Sequence, residues 1–217
     1  MSKPLLIIGN KNYSSWSLRA WLMLQHAGVG FDELRISLFE PNAREQLFAN
    51  SPAGLVPAYR VGDLLVWDTL AIAEYLYEEH PHIWPAAREA RARARSVSAE
   101  MHSGFVTLRN VMPMNIRASG RKVASSAELE ENIARIKSIW RDLREQYADK
   151  GPWLFGKYSI ADAMFAPVVF RFLTYGVNEG GVINEYMLTV SRDPLIQKWL
   201  EDSKREKEVI ATSEVGN

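Results

Sequence analysis

The sequence predicts two structural units in tandem, a mixed α/β unit over residues 1–81 and an all-helical one over residues 86–217. Before residue 80, short apolar runs alternate with segments of helical period, whereas every periodic segment beyond residue 85 repeats at helical spacing. Between the two, His80-Pro81-His82-Ile83-Trp84-Pro85 carries a pair of prolines and marks a linker or docking turn.

The elements follow in order. Lys3 to Gly9 reads as a buried strand ended by Gly-Asn. From Ser15 to Ala27, the residues Leu18, Trp21, Leu22, Met23 and Leu24 recur at helical spacing, with Gly28 as terminator. Phe31 to Ser37 alternates like a strand, and Pro41 to Asn50 reads as a short helix with Pro41 in its first turn. After the loop Ser51-Pro52-Ala53-Gly54, the runs Val56 to Val61 and Leu64 to Trp67 flank a Gly62-Asp63 turn. Asp68 then opens a helix to about His80. Beyond the linker, the periodicity predicts one long helix from Ala86 to about Met112, then Ser126 to Asp149 and Ser159 to about Tyr175. Shorter helices are expected over Val182 to Val190 and Pro194 to Val209.

Composition excludes several function classes. The chain has 217 residues, 47% of them hydrophobic, and its 26 Lys plus Arg balance 26 Asp plus Glu. A nucleic-acid binder carries a basic excess, which is missing. The apolar run Leu5-Leu6-Ile7-Ile8 is too short for a signal-peptide core or a spanning helix. There is no cysteine, so disulfides, thiolate metal sites and cysteine nucleophiles are all excluded. The same count fits a reducing, cytoplasmic setting. The four histidines form no HExxH pattern, and no metal is expected.

Three segments carry candidate chemistry, and each has a plainer explanation. Asn12-Tyr13-Ser14-Ser15-Trp16-Ser17-Leu18-Arg19 lies between a strand and a helix, where a serine hydroxyl can serve a bound anion or simply cap the helix. Pro57 in Leu55-Val56-Pro57-Ala58 points to an edge strand, a cis peptide or an ordinary loop proline. A cis bond there would leave the Val56 backbone free for an extended peptide ligand. Asp68-Thr69 opens a helix and either caps it or holds a zwitterion, the carboxylate taking an ammonium and the helix start a carboxylate.

Together, the order and spacing of these segments resemble the cytosolic glutathione transferase family. Ser51-Pro52-Ala53-Gly54-Leu55-Val56-Pro57-Ala58 is similar to the family's loop before its cis-proline strand, and Asp68-Thr69-Leu70-Ala71-Ile72-Ala73-Glu74-Tyr75-Leu76 to its acid–hydroxyl helix start. Ser159-Ile160-Ala161-Asp162 is similar to the capping box of a core helix in the second domain. Ser14-Ser15-Trp16-Ser17-Leu18-Arg19 resembles the Ser-Ser-Cys-Ser-Trp-Arg start of the zeta class, with Trp16 where that class has cysteine.

The resemblance implies a thioredoxin-like N-terminal domain that binds glutathione as cosubstrate and an all-α domain that binds the electrophile. It places Ser14 at the catalytic position, with Ser15 as alternative and Tyr13 as a weaker rival. Val56 and Pro57 would pair with the cysteinyl backbone, and Asp68 with Thr69 would hold the γ-glutamyl end. The electrophile pocket would draw on Trp16, His102, Val106, Arg109, Met112, Met114 and Asn115, with His102, Val106, Arg109 and Pro113 sharing one helical face. Plainer readings put Met101, Phe105, Leu108 and Met112 in the core, and Arg88, Arg91, Arg93 and Arg95 on a solvated face or in interface pairs.

A free thiol has pKa ~8.5, so the expected reaction is attack by a serine-stabilised glutathione thiolate on a small hydrophobic electrophile, a detoxifying conjugation. Glutathione-dependent cis–trans isomerisation of the maleylacetoacetate type is the alternative, and a non-catalytic glutathione-binding or scaffold module a further one. Thiol-transferase chemistry through a mixed disulfide needs an active-site cysteine and is excluded. A homodimer is expected from the family, with Glu100 or a neighbour on the long helix reaching towards the partner's site.

Overall fold

The computed structural model describes residues 3–216. Strands β1 (Leu5–Ile8), β2 (Asp32–Arg35), β3 (Ala58–Val61) and β4 (Leu64–Trp67) form one mixed sheet in the order β2-β1-β3-β4. β1 runs parallel to β2 and antiparallel to β3, with Leu6 opposite Tyr59, and β3 is antiparallel to β4. Alternation along β1 explains the layers. Leu6 and Ile8 face helices α1 (Ser15–Ala27) and α3 (Thr69–Glu79), whereas Ile7 packs with Ile36, Ala58 and Leu47 on the side of α2 (Ala43–Asn50). This is the thioredoxin-like arrangement.

α1 has the expected bounds, with Gly28 in the left-handed conformation at its end (φ 77°). The short helix begins at Ala43, so Pro41 lies before it rather than in its first turn. Pro57 precedes an interior strand, not an edge one, and the Val56–Pro57 bond is cis.

The helical part contains α4 (Arg88–Ser103), α5 (Val106–Val111), α6 (Ala127–Tyr147), α7 (Ile160–Tyr175), α8 (Gly181–Arg192) and α9 (Pro194–Arg205). The single long helix expected from Ala86 to Met112 is broken at Gly104 and Phe105. Phe105 is left-handed (φ 56°), and a Cβ on Gly104 would lie 2.7 Å from the Glu100 carbonyl oxygen. Apolar spacing runs through the break because Met101, Phe105 and Leu108 are all buried in the same core. Ser126 caps α6, and Ser159 with Asp162 forms the expected capping box on α7. Burial pushes the Asp162 carboxyl up to about 6, against the hydrogen bonds it accepts from Leu154 and Ser159. The arginine run on α4 is spent on surface pairs, among them Arg95 with Glu74 and Arg91 with the Pro85 and Ala86 carbonyls.

Two features position the site. α1 packs directly on α7 as well as on α3, so one continuous core joins both units and the serine segment lies at their junction. After α9, the chain returns as a strap over the loop that precedes Ser14. Glu206 accepts the N–H groups of Lys11 (2.6 Å) and Asn12 (3.0 Å), Arg117 binds the Glu206 and Glu208 carbonyls, and Glu208 accepts from Ser37 and Arg35. The Ser37 hydroxyl and the Arg35 guanidinium hold the Glu208 carboxyl down at about 2, despite an opposing contribution from burial.

Candidate active site

Ser14 caps α1, its Oγ accepting the Ser17 N–H at 3.3 Å. Capping uses a lone pair and leaves the proton to be placed. The Ser14 and Ser17 hydroxyls lie 2.7 Å apart, and Ser17 Oγ also accepts the Gly9 N–H at 2.9 Å. Ser17 is fully buried, and among the described residues these are its hydroxyl's only partners. Counting donors fixes the direction: Ser17 satisfies its own buried proton by donating to Ser14. Ser14 Oγ then accepts two hydrogen bonds, and its own proton is free. Ser14 lines a cavity of about 430 Å³ with Trp16, Leu38, Glu40, Ala43, Arg44 and Val56. Cap and donor are therefore compatible roles.

The two rivals face elsewhere. Ser15 is buried and lines neither this cavity nor its neighbour; its Oγ accepts from Arg171 on α7 at 3.3 Å. Tyr13 donates its hydroxyl to Glu214 at 2.7 Å and accepts from Arg117 at 3.1 Å, which ties it to the C-terminal strap.

A second cavity of about 510 Å³ shares Trp16, Leu55 and Val56 with the first, and extends to Pro57, Trp67, Asp68, Thr69, His102, Ser103 and Arg109. It brings together the Val-Pro, acid–hydroxyl and electrophile candidates. Asp68 caps α3, Oδ1 accepting the Leu70 N–H at 2.8 Å, while Oδ2 lies 2.6 Å from His102 Nε2. The Asp68 backbone sits at φ 73° and ψ 138°. A non-glycine residue held there stores strain of ~1–3 kcal/mol, a cost that clusters at functional sites. Thr69 Oγ1 is fully buried and has no hydrogen-bond partner among the described residues. A buried hydroxyl without a partner costs ~1–3 kcal/mol, and its place at the start of α3 suits an oxygen-bearing ligand.

Trp16 forms the wall between the cavities. The His102 ring meets it edge-on with centroids 5.2 Å apart, and the guanidinium carbons of Arg19 and Arg109 lie 4.2 Å and 5.5 Å from its ring centroid. Arg109 also donates to the His102 carbonyl at 3.3 Å. The shared helical face does not survive the Gly104 break, yet His102 from α4 and Arg109 from α5 still converge. Val106 from the same expected face is exposed and lines neither cavity.

Three further pocket candidates lie elsewhere. Met112 and Met114 are each 1% exposed and belong to the core. Asn115 is 3% exposed and accepts from Asn12 while donating to Glu214, which makes it part of the strap's anchor. Glu100 is held by Arg135 of its own chain in a bidentate pair at 2.7 and 2.9 Å. Sequence reasoning passed over Ser17, Arg19 and Arg171. The available signal for Arg171 was a lone cation late in the apolar run of α7.

The profile of the glutathione S-transferase N-terminal domain matches residues 13–79, and that of the C-terminal domain matches residues 126–202, together more than half of the chain. The chain belongs to the glutathione S-transferase family. A curated relative, the probable maleylacetoacetate isomerase of Caenorhabditis elegans, is 31% identical over 116 residues, which is 52% of this chain and 53% of that protein. The chain thus spans about half the length of the curated relatives it matches. Among solved structures, a glutathione transferase homolog from Burkholderia with bound glutathione superposes with TM-score 0.71 at 22% identity, covering 94% of this chain and 98% of that one. A bacterial zeta-class maleyl pyruvate isomerase also superposes with TM-score 0.71, at 20% identity, covering 94% and 100%. Both share the fold. Among the described residues, no helix is long and apolar enough to cross a membrane.

Proposed function

We propose that this chain is a glutathione transferase in which the Ser14 hydroxyl stabilises the glutathione thiolate for attack on a small electrophile. The observation that carries this reading is the 2.7 Å contact between the Ser14 and Ser17 hydroxyls beside a cavity that also touches Val56; because buried Ser17 already accepts from Gly9 N–H, donor counting sends its proton to Ser14 and leaves the Ser14 O–H free. Each donor polarises the next, so the last hydroxyl is a stronger donor than an isolated serine. In this reading Val56 and Pro57 meet the cysteinyl backbone. Thr69 and the start of α3 take the γ-glutamyl carboxylate, and Asp68 takes the ammonium. The unpartnered Thr69 hydroxyl supports that assignment. The thiol releases its proton to solvent, the sulfur forms a bond to the electrophilic carbon, and the leaving group departs with its electron pair.

Isomerisation is the second reading, favoured by the Ser-Ser-x-Ser-x-Arg start and by the relative named as a probable maleylacetoacetate isomerase. Here the thiolate adds to a double bond, rotation follows, and the thiolate leaves unchanged. We assign the protein to the cytoplasm and expect it to act as a homodimer, both by family. Retention on immobilised glutathione followed by turnover of a generic aryl halide tests the proposal. Consumption of glutathione supports conjugation, turnover of a cis-enone without consumption supports isomerisation, and a chain that binds glutathione but turns over neither is a binding module. Failure to bind glutathione overturns every one of these readings.

A further inference from the structure

We propose that Glu206, on the segment that follows α9, is a positioning residue for Ser14: its carboxylate fixes the turn Asn10–Tyr13 and so the direction in which the Ser14 hydroxyl points. The proposal rests on the transferase reading of Ser14 and adds to it a residue that lines neither of the two cavities.

The Glu206 side chain is 7% exposed. Its Oε1 accepts the Lys11 N–H at 2.6 Å and its Oε2 the Asn12 N–H at 3.0 Å. Successive N–H groups in a turn make a concave anion site, and here the chain fills it with its own carboxylate. Each of these amides belongs to a rigid peptide plane. The plane that carries the Lys11 N–H carries the Asn10 carbonyl on its opposite edge, and that carbonyl accepts the N–H groups of Ser14 (2.8 Å) and Tyr13 (3.2 Å). The next plane pairs the Asn12 N–H with the Lys11 carbonyl, which accepts the Trp199 indole N–H at 3.0 Å. Glu206 therefore holds Ser14 through a single peptide plane, while Ser17 fixes the Ser14 hydroxyl from the other side. Tilting that plane shifts the Ser14 backbone against an anchored Ser17.

Anchoring the C-terminal strap is the simpler role for such a residue, and redundancy separates the two. The strap has other anchors: Arg117 donates to the Glu208 carbonyl at 2.7 Å, Arg35 and Ser37 donate to the Glu208 carboxylate, and Glu214 accepts from Tyr13, Asn115 and Arg121. Among the described residues, the N–H groups of Lys11 and Asn12 have Glu206 alone. Lys11 is 6% exposed and Asn12 0%, so without Glu206 both donors are left buried and unpartnered. That state is costly, and the turn relieves it by rotating its planes towards another acceptor. Loss of Glu206 hence moves the turn, whereas loss of the Glu208 carboxylate leaves it in place.

The test compares Glu206→Ala, Glu206→Gln and Glu208→Gln in the full chain, with glutathione and an aryl halide. A misplacement of about 1 Å costs up to ~100-fold in rate. A tilted plane that keeps part of the hydroxyl's contact is expected to lower kcat/KM roughly tenfold at neutral pH in Glu206→Ala, through a bound thiol whose pKa rises by about one unit. The Kd for glutathione stays within about twofold, because Val56 and Thr69 do not depend on the turn. Glu206→Gln keeps one acceptor oxygen and falls between, and Glu208→Gln keeps the wild-type profile. Formate restores part of the rate in Glu206→Ala where chloride at equal ionic strength does not, since a carboxylate spans the two N–H groups. A Glu206→Ala profile that overlays wild type, or a loss that Glu208→Gln reproduces, overturns the positioning role. Circular dichroism reports folding, and the isosteric Glu206→Gln carries the test where Glu206→Ala does not fold. Amide hydrogen exchange reads the same claim without turnover: Tyr13 and Ser14 exchange faster in the Glu206 variants than in wild type or Glu208→Gln, and unchanged exchange overturns it. Ser14→Ala reads the transferase proposal separately. An unshifted Ser14→Ala profile with faster exchange in the Glu206 variants keeps the hold on the turn and loses the thiolate role; a shifted Ser14→Ala profile with wild-type behaviour in the Glu206 variants does the reverse.

Discussion

Replacing Ser14 with alanine removes the last hydroxyl of the chain Gly9, Ser17, Ser14 and leaves the cavity wall otherwise intact. Hydrogen bonds to a charged group contribute ~1.5–3 kcal/mol, and one pKa unit corresponds to about 1.4 kcal/mol. Losing that bond therefore raises the pKa of bound glutathione by roughly one to two units. The sign follows from the charged form: the hydroxyl favours the thiolate, so without it the thiol holds its proton to higher pH. The rate per glutathione falls roughly ten- to hundredfold below the wild-type pKa and converges with wild type at alkaline pH. The assay is the pH dependence of kcat/KM for an aryl halide, read alongside the thiolate's ultraviolet absorbance in the binary complex. The cap is lost too, which costs about 1 kcal/mol of stability; this moves the melting temperature and not the pH profile. Ser17→Ala is expected to shift the profile in the same direction by less, with Ser17→Thr restoring it. An unchanged profile in Ser14→Ala would refute the proton-direction argument.

Other consequences are equally open to measurement. Asp68→Asn keeps the shape at the start of α3 but removes the charge assigned to the γ-glutamyl ammonium, so calorimetry is expected to show glutathione binding weakened by roughly tenfold or more; an unchanged Kd would place the ammonium elsewhere. Gly104→Ala drives a Cβ to 2.7 Å from the Glu100 carbonyl, a backbone contact with little freedom to yield. A loss of ~1–3 kcal/mol in urea unfolding is expected, and an unperturbed midpoint would show that the α4–α5 break tolerates a side chain. Glu208, held at about 2 by Ser37 and Arg35, has a folded pKa below its unfolded value. Its stabilisation is present above the unfolded pKa of about 4.3 and is lost as pH falls towards 2. Glu208→Gln should flatten that part of the acid unfolding curve, and a curve that overlays wild type would remove the strap from the acid response.

The sequence exposed the parts of this molecule that are written locally. Ser15–Ala27 was legible to the residue because the apolar spacing ends at a glycine that adopts φ 77°. The Ser159–Asp162 box and the Asp68 cap were legible because each side chain bonds backbone a few residues away. The Gly104 break was hidden because the buried residues on either side keep helical spacing while the backbone does not. The strap was hidden for another reason: Glu206 bonds the backbone of Lys11 and Asn12 across almost the whole chain, and a charged tail carries no period that announces such a partner. The same limit explains Asn115, which the family resemblance places in the electrophile pocket but which turns to the strap. At the site, the family resemblance carried by the order and spacing of three segments brought forward Ser14, Val56 and Asp68. It did not separate Ser14 from Ser15, because that distinction depends on where Ser17 and Arg171 lie in space.

The most direct test of the account is a crystal structure of the full chain soaked with glutathione. The sulfur is expected within hydrogen-bond distance of Ser14 Oγ, with the cysteinyl backbone paired to Val56 and the γ-glutamyl carboxylate bonded to Thr69 Oγ1. A sulfur resting against Ser15 or Tyr13, or glutathione bound away from the start of α3, would contradict it.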